Sequence, residues 1–226
     1  MNVRPRDELA DTTHRGSMSG TFRVEQVVVT GLSERCRITP AKSDATNCWL
    51  VGDDTDVVVV DAAGSTEEIA AAVGDRSVVA VICTHGSSSH FAAAVDVACG
   101  LYAPVLLHPA DHVLWQGFHG DHRYWRLDDG QRIAVAGEEI QVVHTPSPTA
   151  GAVSLYVARL GALLAGDALE RRRPTDGRGR RRVPDSVHET LRGLPYDTRV
   201  HPGHGDRFAL GHVLSLPADR FVDQSA

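Results

Sequence analysis

Short runs of apolar and β-branched residues recur along this chain, and in its first half helical segments separate them. The stretch 46–64 predicts two strands around an Asp-Asp-Thr-Asp turn, and its four consecutive valines, 57–60, are typical of a strand buried on both faces. Ser65 and Thr66, followed by two glutamates, predict the start of an amphipathic helix. The other elements predicted in this half are two buried strands and the helix between them, at 77–84, 103–108 and 88–100.

The second half of the chain has a different pattern, in which strands follow one another directly. Residues 131–145 predict a hairpin about Gly137, and residues 152–167 predict a second hairpin. A helix is predicted over 185–192, and a last strand and loop over 198–206. Strands that alternate with helices and then form hairpins, without a repeat of solenoid period, indicate a single α/β sandwich domain.

The composition limits the classes of function. With 226 residues, of which 42% are hydrophobic, the chain can bury a sizeable core, and its net charge of −6 argues against nucleic-acid binding. Residues 1–20 are polar, which predicts a flexible N-terminal tail before a domain over 21–226. No run approaches the roughly 18 apolar residues of a membrane span, and no basic-then-apolar signal pattern opens the chain. We therefore expect a cytoplasmic protein without membrane contact.

Polar side chains collect where four of the predicted strands end. The stretches read Thr-His-Gly-Ser-Ser-Ser-His, His-Thr-Pro-Ser-Pro-Thr-Ala-Gly, Ala-Gly-Asp-Ala-Leu and His-Pro-Gly-His-Gly, at 84–90, 144–151, 165–169 and 201–205. Because loops that leave one edge of a sheet meet in space, these four stretches predict a shared site.

The order and spacing of these stretches resemble the metallo-β-lactamase superfamily, in particular its branch of small hydrolases similar to glyoxalase II. The resemblance covers about residues 45–206 and is carried by VVVVDAAG, VICTHGSSSH, VVHTPSPTAGAVSL, LLAGDAL and VHPGHGD, in that family's order. It implies an αββα sandwich with a dinuclear zinc site, which the family commonly uses to hydrolyse thioesters, esters or lactams.

The first metal motif of the family, T-H-x-H-x-D-H, is incomplete in this chain. His85 and His90 match the motif, whereas Ser87 and Ser89 replace a ligand histidine and the ligand aspartate. We predict that Ser87 and Ser89 bind substrate. A serine nucleophile is disfavoured, because serines at the start of a helix commonly serve as N-caps.

The later motifs of the family keep two ligands and lose one. Asp167 matches the aspartate that bridges both metals, His204 matches the final ligand histidine, and Pro148 stands in place of a ligand histidine. One of the family's two metal sites therefore loses two of its three imidazoles, which neither proline nor a neutral serine replaces. The other site keeps His90, Asp167 and His204. We predict no metal or one weakly held ion on these three residues, with zinc favoured over iron, and we do not expect dinuclear zinc.

Three functions of different classes are compatible with this pattern. The first is a hydrolase-like enzyme with one metal, acting on a small acidic or carrier-linked ester or thioester. The second is a metal-free enzyme that performs acid–base chemistry, such as elimination or cyclisation. The third is a non-catalytic protein that binds an acidic partner. The predicted catalytic residues are His85, His90, Asp167 and His204, and the oligomeric state stays open.

An arginine-rich stretch follows the predicted strand that ends at Asp167, with seven arginines between residues 171 and 182. In the family this segment runs close to the mouth of the site, and guanidinium groups pair well with carboxylates and phosphates. We therefore predict that Arg171, Arg173 and Arg178 bind an acidic small-molecule substrate or the carrier of an acyl group. A solvated loop is the alternative, since glycine and proline interrupt the stretch and like charges repel.

Residues 108–125 contain four histidines and several aromatic side chains, which predicts a pocket wall. His119 and His122 have the spacing of replacement metal ligands on one face of a helix. However, Gly117 and Gly120 argue against a helix in this segment. The sequence favours surface histidines at both positions.

Overall fold

Two six-stranded sheets form the centre of the molecule and pack face to face. The computed structural model describes residues 20–29, 45–169 and 183–214, and the following description refers to these ranges. All strands of the first sheet precede those of the second in the sequence. The strands predicted in the first half of the chain therefore form one sheet, and those predicted in the second half form the other.

The first sheet has its six strands in sequence order. The first three strands pair antiparallel, as expected for directly connected strands, and the remaining pairs are parallel with a helix in each connection. The strands predicted within 46–64, 77–84 and 103–108 are confirmed. The strands are β1 Arg23–Val29, β2 Thr46–Gly52, β3 Asp56–Val60, β4 Ser77–Ile82, β5 Val105–Leu107 and β6 Trp125–Arg126.

The second sheet has the strand order β12-β11-β10-β9-β8-β7. Both predicted hairpins are confirmed, and the pairs are antiparallel except for β10 and β11, which are parallel. The loops after β10 and β11 therefore leave the same edge of the sheet. The strands are β7 Arg132–Val135, β8 Glu138–His144, β9 Val153–Val157, β10 Ala162–Gly166, β11 Arg199–Pro202 and β12 Phe208–Ala209.

Helices connect and cover the sheets. The predicted N-cap is confirmed, since the Ser65 hydroxyl accepts a hydrogen bond of 3.3 Å from the Glu68 amide. The helix predicted over 185–192 is also confirmed. The helices are α1 Thr66–Val73, α2 Ser88–Phe91, α3 Ala94–Gly100, α4 His112–His119, α5 Asp185–Leu191 and α6 Gly211–Leu214.

Three apolar clusters hold the four layers together. Along β2, Leu50 faces the cluster shared with α1 and α3, while its neighbours Trp49 and Val51 face the cluster between the sheets. A third cluster joins the outer face of the second sheet to α5 through Leu163 and Val200. Each fully buried aliphatic side chain contributes roughly 1.5–3 kcal/mol. This arrangement of helix, sheet, sheet and helix confirms the predicted αββα sandwich.

Three local expectations differ from the structure. The helix predicted over 88–100 is divided into α2 and α3, and α4 forms although it contains Gly117. The expectation of a surface histidine at position 119 is wrong, because His119 is buried and its Nε2 lies 3.0 Å from the Phe91 carbonyl oxygen. Burial of this face of α4 outweighs the low helix propensity of glycine. Gly120 ends the helix with a φ of 63°, and His122 beyond it is exposed.

The described ranges leave part of the domain prediction untested. The predicted tail falls outside them except for Gly20, so the boundary at residue 21 stays a prediction. Nowhere in the described ranges does a helix have the length and apolarity required to cross a membrane.

Candidate active site

The four predicted catalytic residues lie where three loops leave the sheets. His85 follows β4, His90 lies on α2, Asp167 follows β10 and His204 follows β11. His85 and His90 are buried, whereas the side chains of Asp167 and His204 are 17% and 19% exposed. The structure thus brings together the four predicted catalytic residues, with two buried histidines as the floor and the other two residues towards the opening.

Asp167 is the centre of this group, because its carboxylate faces all three imidazoles. Its Oδ1 lies 3.2 Å from His90 Nε2 and 3.7 Å from His204 Nε2, and its Oδ2 lies 3.7 Å from His85 Nε2. The rings of His85 and His90 are close neighbours, with centroids 4.3 Å apart. Three ring nitrogens therefore converge on one carboxylate.

The opposite ring nitrogen of each histidine contacts an oxygen. His90 Nδ1 lies 3.0 Å from Asp61 Oδ2, and His204 Nδ1 lies 3.1 Å from the Ala45 carbonyl oxygen. His85 Nδ1 lies 3.1 Å from the hydroxyl of Thr84, which itself donates to Asp61. These contacts place a proton on each Nδ1 and leave each Nε2 directed at Asp167, the arrangement that orients imidazoles as metal ligands.

Asp61 follows β3 and contacts residues that follow β4. It accepts hydrogen bonds of 2.7 Å from the Thr84 amide and 2.8 Å from the Thr84 hydroxyl, in addition to its contact with His90. Its backbone is in the left-handed region, with φ of 58°, which is uncommon for a residue other than glycine. Asp61 is therefore the group that orients the imidazole of His90.

Burial and charge move the pKa values of the central residues apart. Burial opposes the charged form of His90, but the carboxylates of Asp61 and Asp167 outweigh it and raise the pKa of His90 to about 10. Burial, together with the neighbouring His90, lowers the pKa of His85 to about 4. The pKa of Asp167 is lowered, since its interactions with the histidines outweigh its burial. Without a metal, His90 is therefore an imidazolium between two carboxylates.

Three buried polar atoms of the site have no hydrogen-bond partner in the described part of the chain. They are His85 Nε2, His90 Nε2 and Asp167 Oδ1, although the last two lie close enough for an ion pair. The possible ligand atoms of these three residues lie within 4.8 Å of one another. Unsatisfied nitrogen and oxygen donors that converge in this way fit one divalent cation. This group includes His85, which the sequence-based metal set of His90, Asp167 and His204 omitted.

The serines that replace two ligands of the family motif bond to each other. Ser87 Oγ and Ser89 Oγ are 2.8 Å apart, and both residues are half-buried at the start of α2. Ser87 occupies the N-cap position, but its side chain makes no capping hydrogen bond. Within the described ranges, neither hydroxyl hydrogen-bonds to a histidine of the site, so the structure provides no base for a serine nucleophile. Their predicted role in substrate binding stays a prediction.

Asp111 fixes the position of two site loops and was missed by sequence reasoning. The residue is 1% exposed. Its Oδ2 accepts hydrogen bonds of 2.7 Å from the Gly86 amide and 2.6 Å from the Thr149 hydroxyl, and its Oδ1 accepts one of 2.8 Å from the Gly151 amide. Gly86 is next to His85, so Asp111 holds the first polar stretch against the second. No sequence motif marks this residue, because its partners are distant in the chain.

The predicted arginine clamp lies outside the described residues. Arg171, Arg173 and Arg178 fall within 170–182, so their binding of an acidic substrate stays a prediction.

Two comparisons with known sequences both match beta-lactamase-like proteins. A family model for the metallo-beta-lactamase superfamily matches residues 42–204. The chain is also similar to the beta-lactamase-like protein 2 homolog of Caenorhabditis elegans, with 31% identity over 91 residues, which is 38% of this chain and 28% of that protein. The match thus spans less than a third of the curated relative.

Solved structures show the same fold. The chain is similar to TTHA1623 in a di-iron-bound form, with a TM-score of 0.64 and 26% identity, covering 88% of this chain and 100% of the other. It is similar to BLEG-1 B3 metallo-beta-lactamase, with a TM-score of 0.63 and 22% identity over 86% and 97% of the two chains. It is also similar to ETHE1 from Myxococcus xanthus, with a TM-score of 0.61 and 20% identity over 89% and 88%.

Proposed function

The chain belongs to the metallo-β-lactamase superfamily, and from this we propose that it is a hydrolase-like enzyme that uses a single metal ion. Its proposed substrates are small acidic or carrier-linked esters and thioesters. The observation that supports this proposal best is the convergence of His85 Nε2, His90 Nε2 and Asp167 Oδ1, three buried donors without hydrogen bonds in the described ranges.

The donor set favours one ion over two. His85, His90 and Asp167 supply two imidazoles and a carboxylate, and His204 Nε2 lies 3.7 Å from Asp167 Oδ1 on the open side. Two histidines and a carboxylate are a known ligand set for a catalytic ion with an open position. The hydroxyls of Ser87 and Ser89, which satisfy each other, are poor substitutes for the donors of a second ion.

The protein groups around the site have distinct roles in this proposal. A divalent ion held there would polarise a carbonyl or lower the pKa of a bound water. Asp61 and the Ala45 carbonyl keep the imidazoles of His90 and His204 in the required orientation. Leu114 of α4, which is 44% exposed, borders the site beside Gly86 and offers an apolar surface for an acyl group.

The proposed acidity of the substrate rests on the arginines between residues 171 and 182, which the structure does not describe. Guanidinium groups at the mouth of the site would attract a carboxylate or the phosphates of a carrier. This part of the proposal can fail without affecting the metal centre.

Hydrolysis of 4-nitrophenyl acetate and acetyl-coenzyme A tests the proposal. We expect turnover by the zinc-loaded protein, loss of turnover after EDTA treatment and recovery when zinc is returned. His85→Gln and Asp167→Asn should remove turnover. His122→Gln and Asp75→Asn, which change exposed residues outside the site, are the matched controls and should behave as the native protein. Turnover of both substrates that is indifferent to EDTA and to Asp167→Asn would refute the proposal.

A metal-free acid–base enzyme is the second candidate, and a specific observation favours it. His90 lies between Asp61 and Asp167, at 3.0 Å and 3.2 Å, and their carboxylates hold it protonated. A buried imidazolium in this position could supply a proton in an elimination or a cyclisation. Activity that persists in EDTA but is lost in His90→Gln would favour this candidate over the hydrolase.

A further inference from the structure

A cavity of about 530 Å³ lies at the opposite end of β10 and β11 from Asp167. Its wall includes Gly161 and Ala162, where β10 begins, and Thr198 and Arg199, where β11 begins. Since β10 has five residues, about 15 Å at the usual rise, the cavity is separate from the candidate active site. The cavity is open to solvent rather than enclosed, and its volume is within the range of small-molecule sites, about 300–1,000 Å³.

Positive charge predominates in the cavity wall. Arg23, Arg199 and Arg207 line it, against one carboxylate, that of Asp197. Arg23 already pairs with two carboxylates of the protein. In the described ranges no carboxylate forms an ion pair with Arg199 or Arg207, and the Arg207 guanidinium lies 5.0 Å from the centroid of the Trp49 ring. Two guanidinium groups are therefore available to an anion.

The strand geometry directs these two arginines to one place. Side chains alternate along a strand, so Arg199 and His201 of β11 share a face. Val200 pairs with Phe208 across β11 and β12, which puts Arg207 beside His201. His201 packs edge-on against Trp49 of the other sheet, so this face is the inner one, where the sandwich is open at its end. The two arginines thus flank one histidine in the cavity.

Two buried polar groups in the wall have unused hydrogen-bonding capacity. His201 is 3% exposed and Thr198 is 1% exposed, and among the described residues neither His201 Nδ1 nor Thr198 Oγ1 has a hydrogen-bond partner. Both atoms are enclosed by the protein, so the anion-binding groups of the cavity are the exposed guanidinium groups of Arg199 and Arg207. Burial, and then Arg207 and Arg199, lower the pKa of His201 to about 4, so its ring is neutral at pH 7.

We propose that this cavity binds a small organic anion, with its carboxylate or phosphate group on Arg199 and Arg207 and an apolar part against Phe22, Val24 and Leu160. The apolar residues belong to the same wall. Arginine pairs with carboxylates and phosphates through two parallel hydrogen bonds, which favours these anions over a spherical ion such as chloride. The site is a second binding site of the chain and does not depend on the metal centre.

Isothermal titration calorimetry on EDTA-treated protein tests the proposal with phenyl phosphate, inorganic phosphate and benzyl alcohol as probes. We expect phenyl phosphate to bind more tightly than either of the others, because it supplies both the anion and the apolar part. Equal affinity for inorganic phosphate would overturn the proposed apolar contact, and no binding of phenyl phosphate at millimolar concentration would overturn the site.

Variants locate the binding in the cavity. Arg199→Gln and Arg207→Gln should each weaken phenyl phosphate binding by about tenfold, since each removes a charged hydrogen-bonding group. Arg132→Gln, which changes an exposed arginine on β7 outside the cavity, should leave the affinity unchanged. Asp167→Asn should also bind normally, which separates this site from the candidate active site. Loss of affinity in Asp167→Asn, or unchanged affinity in both cavity variants, would refute the assignment.

Discussion

Replacing Asp111 with asparagine exchanges one carboxylate oxygen for an amino group, and this change should destabilise the protein. Asp111 Oδ2 accepts from the Gly86 amide and the Thr149 hydroxyl, and Oδ1 accepts from the Gly151 amide. Asparagine has one acceptor oxygen, so its amino group must face one of the two backbone N–H donors. A buried donor without a partner costs about 1–3 kcal/mol, and the remaining bonds lose their charge assistance. We expect a loss of about 3 kcal/mol, or about 6–12 °C in Tm for a chain of this size.

Urea unfolding monitored by circular dichroism measures this loss. Asp129→Asn is the matched control, because exposed Asp129 accepts only one backbone hydrogen bond in the described ranges, of 2.8 Å from the His144 amide. The control should change the free energy of unfolding by less than about 1 kcal/mol. An Asp111→Asn variant as stable as this control would show that the hydrogen bonds to Asp111 do not hold the two loops together.

Three further predictions concern the site. Gly203→Ala would place a Cβ against His90 Cε1 and Asp167 Oδ1, closer than any van der Waals contact, so zinc binding measured by calorimetry should be lost. The control variant Gly193→Ala, whose Cβ would have no atom within 4 Å, should bind zinc normally. In the metal-free protein, the pKa of His90 is raised from 6.5 to about 10, so its stabilising contribution is complete below pH 6.5 and disappears as the pH rises to about 10. Urea unfolding should show this alkaline loss in the native protein and a smaller one in His90→Gln. Ser89→Asp returns a carboxylate to a ligand position of the family motif, so it should tighten zinc binding measured in competition with a chelating dye. Unchanged affinity would contradict the assignment of position 89 as a lost metal ligand.

The elements of the fold that the sequence predicted are those with strong local signals. The valines of 57–60 lie between two apolar clusters and needed no tertiary information to be recognised as a buried strand. The N-cap at Ser65 and the hairpin about Gly137 are local as well. α4 was missed because Gly117 lowers helix propensity, whereas the burial of Trp115 and other side chains on one face decides the outcome.

The candidate site was predictable only as far as its residues follow strands. His85 and Asp167 follow buried strands, and their order matches a family motif, which was sufficient to name them. The position of His85 within the group of possible ligands depends on its Nδ1 contact with Thr84, which no pattern in the sequence reveals. Asp111 and His201 were missed for the same reason, because their significance comes from neighbours that the fold supplies.

The number of zinc ions bound per chain is the decisive measurement for the proposed single-metal site. Protein stripped of metal would be titrated with zinc, and the bound metal would be measured by mass spectrometry after buffer exchange, for the native chain and for Asp167→Asn. We expect about one zinc per native chain and a large loss of affinity in the variant, because Asp167 faces all three histidines. Two tightly bound zinc ions per chain would contradict it, as would one ion held equally well without the Asp167 carboxylate.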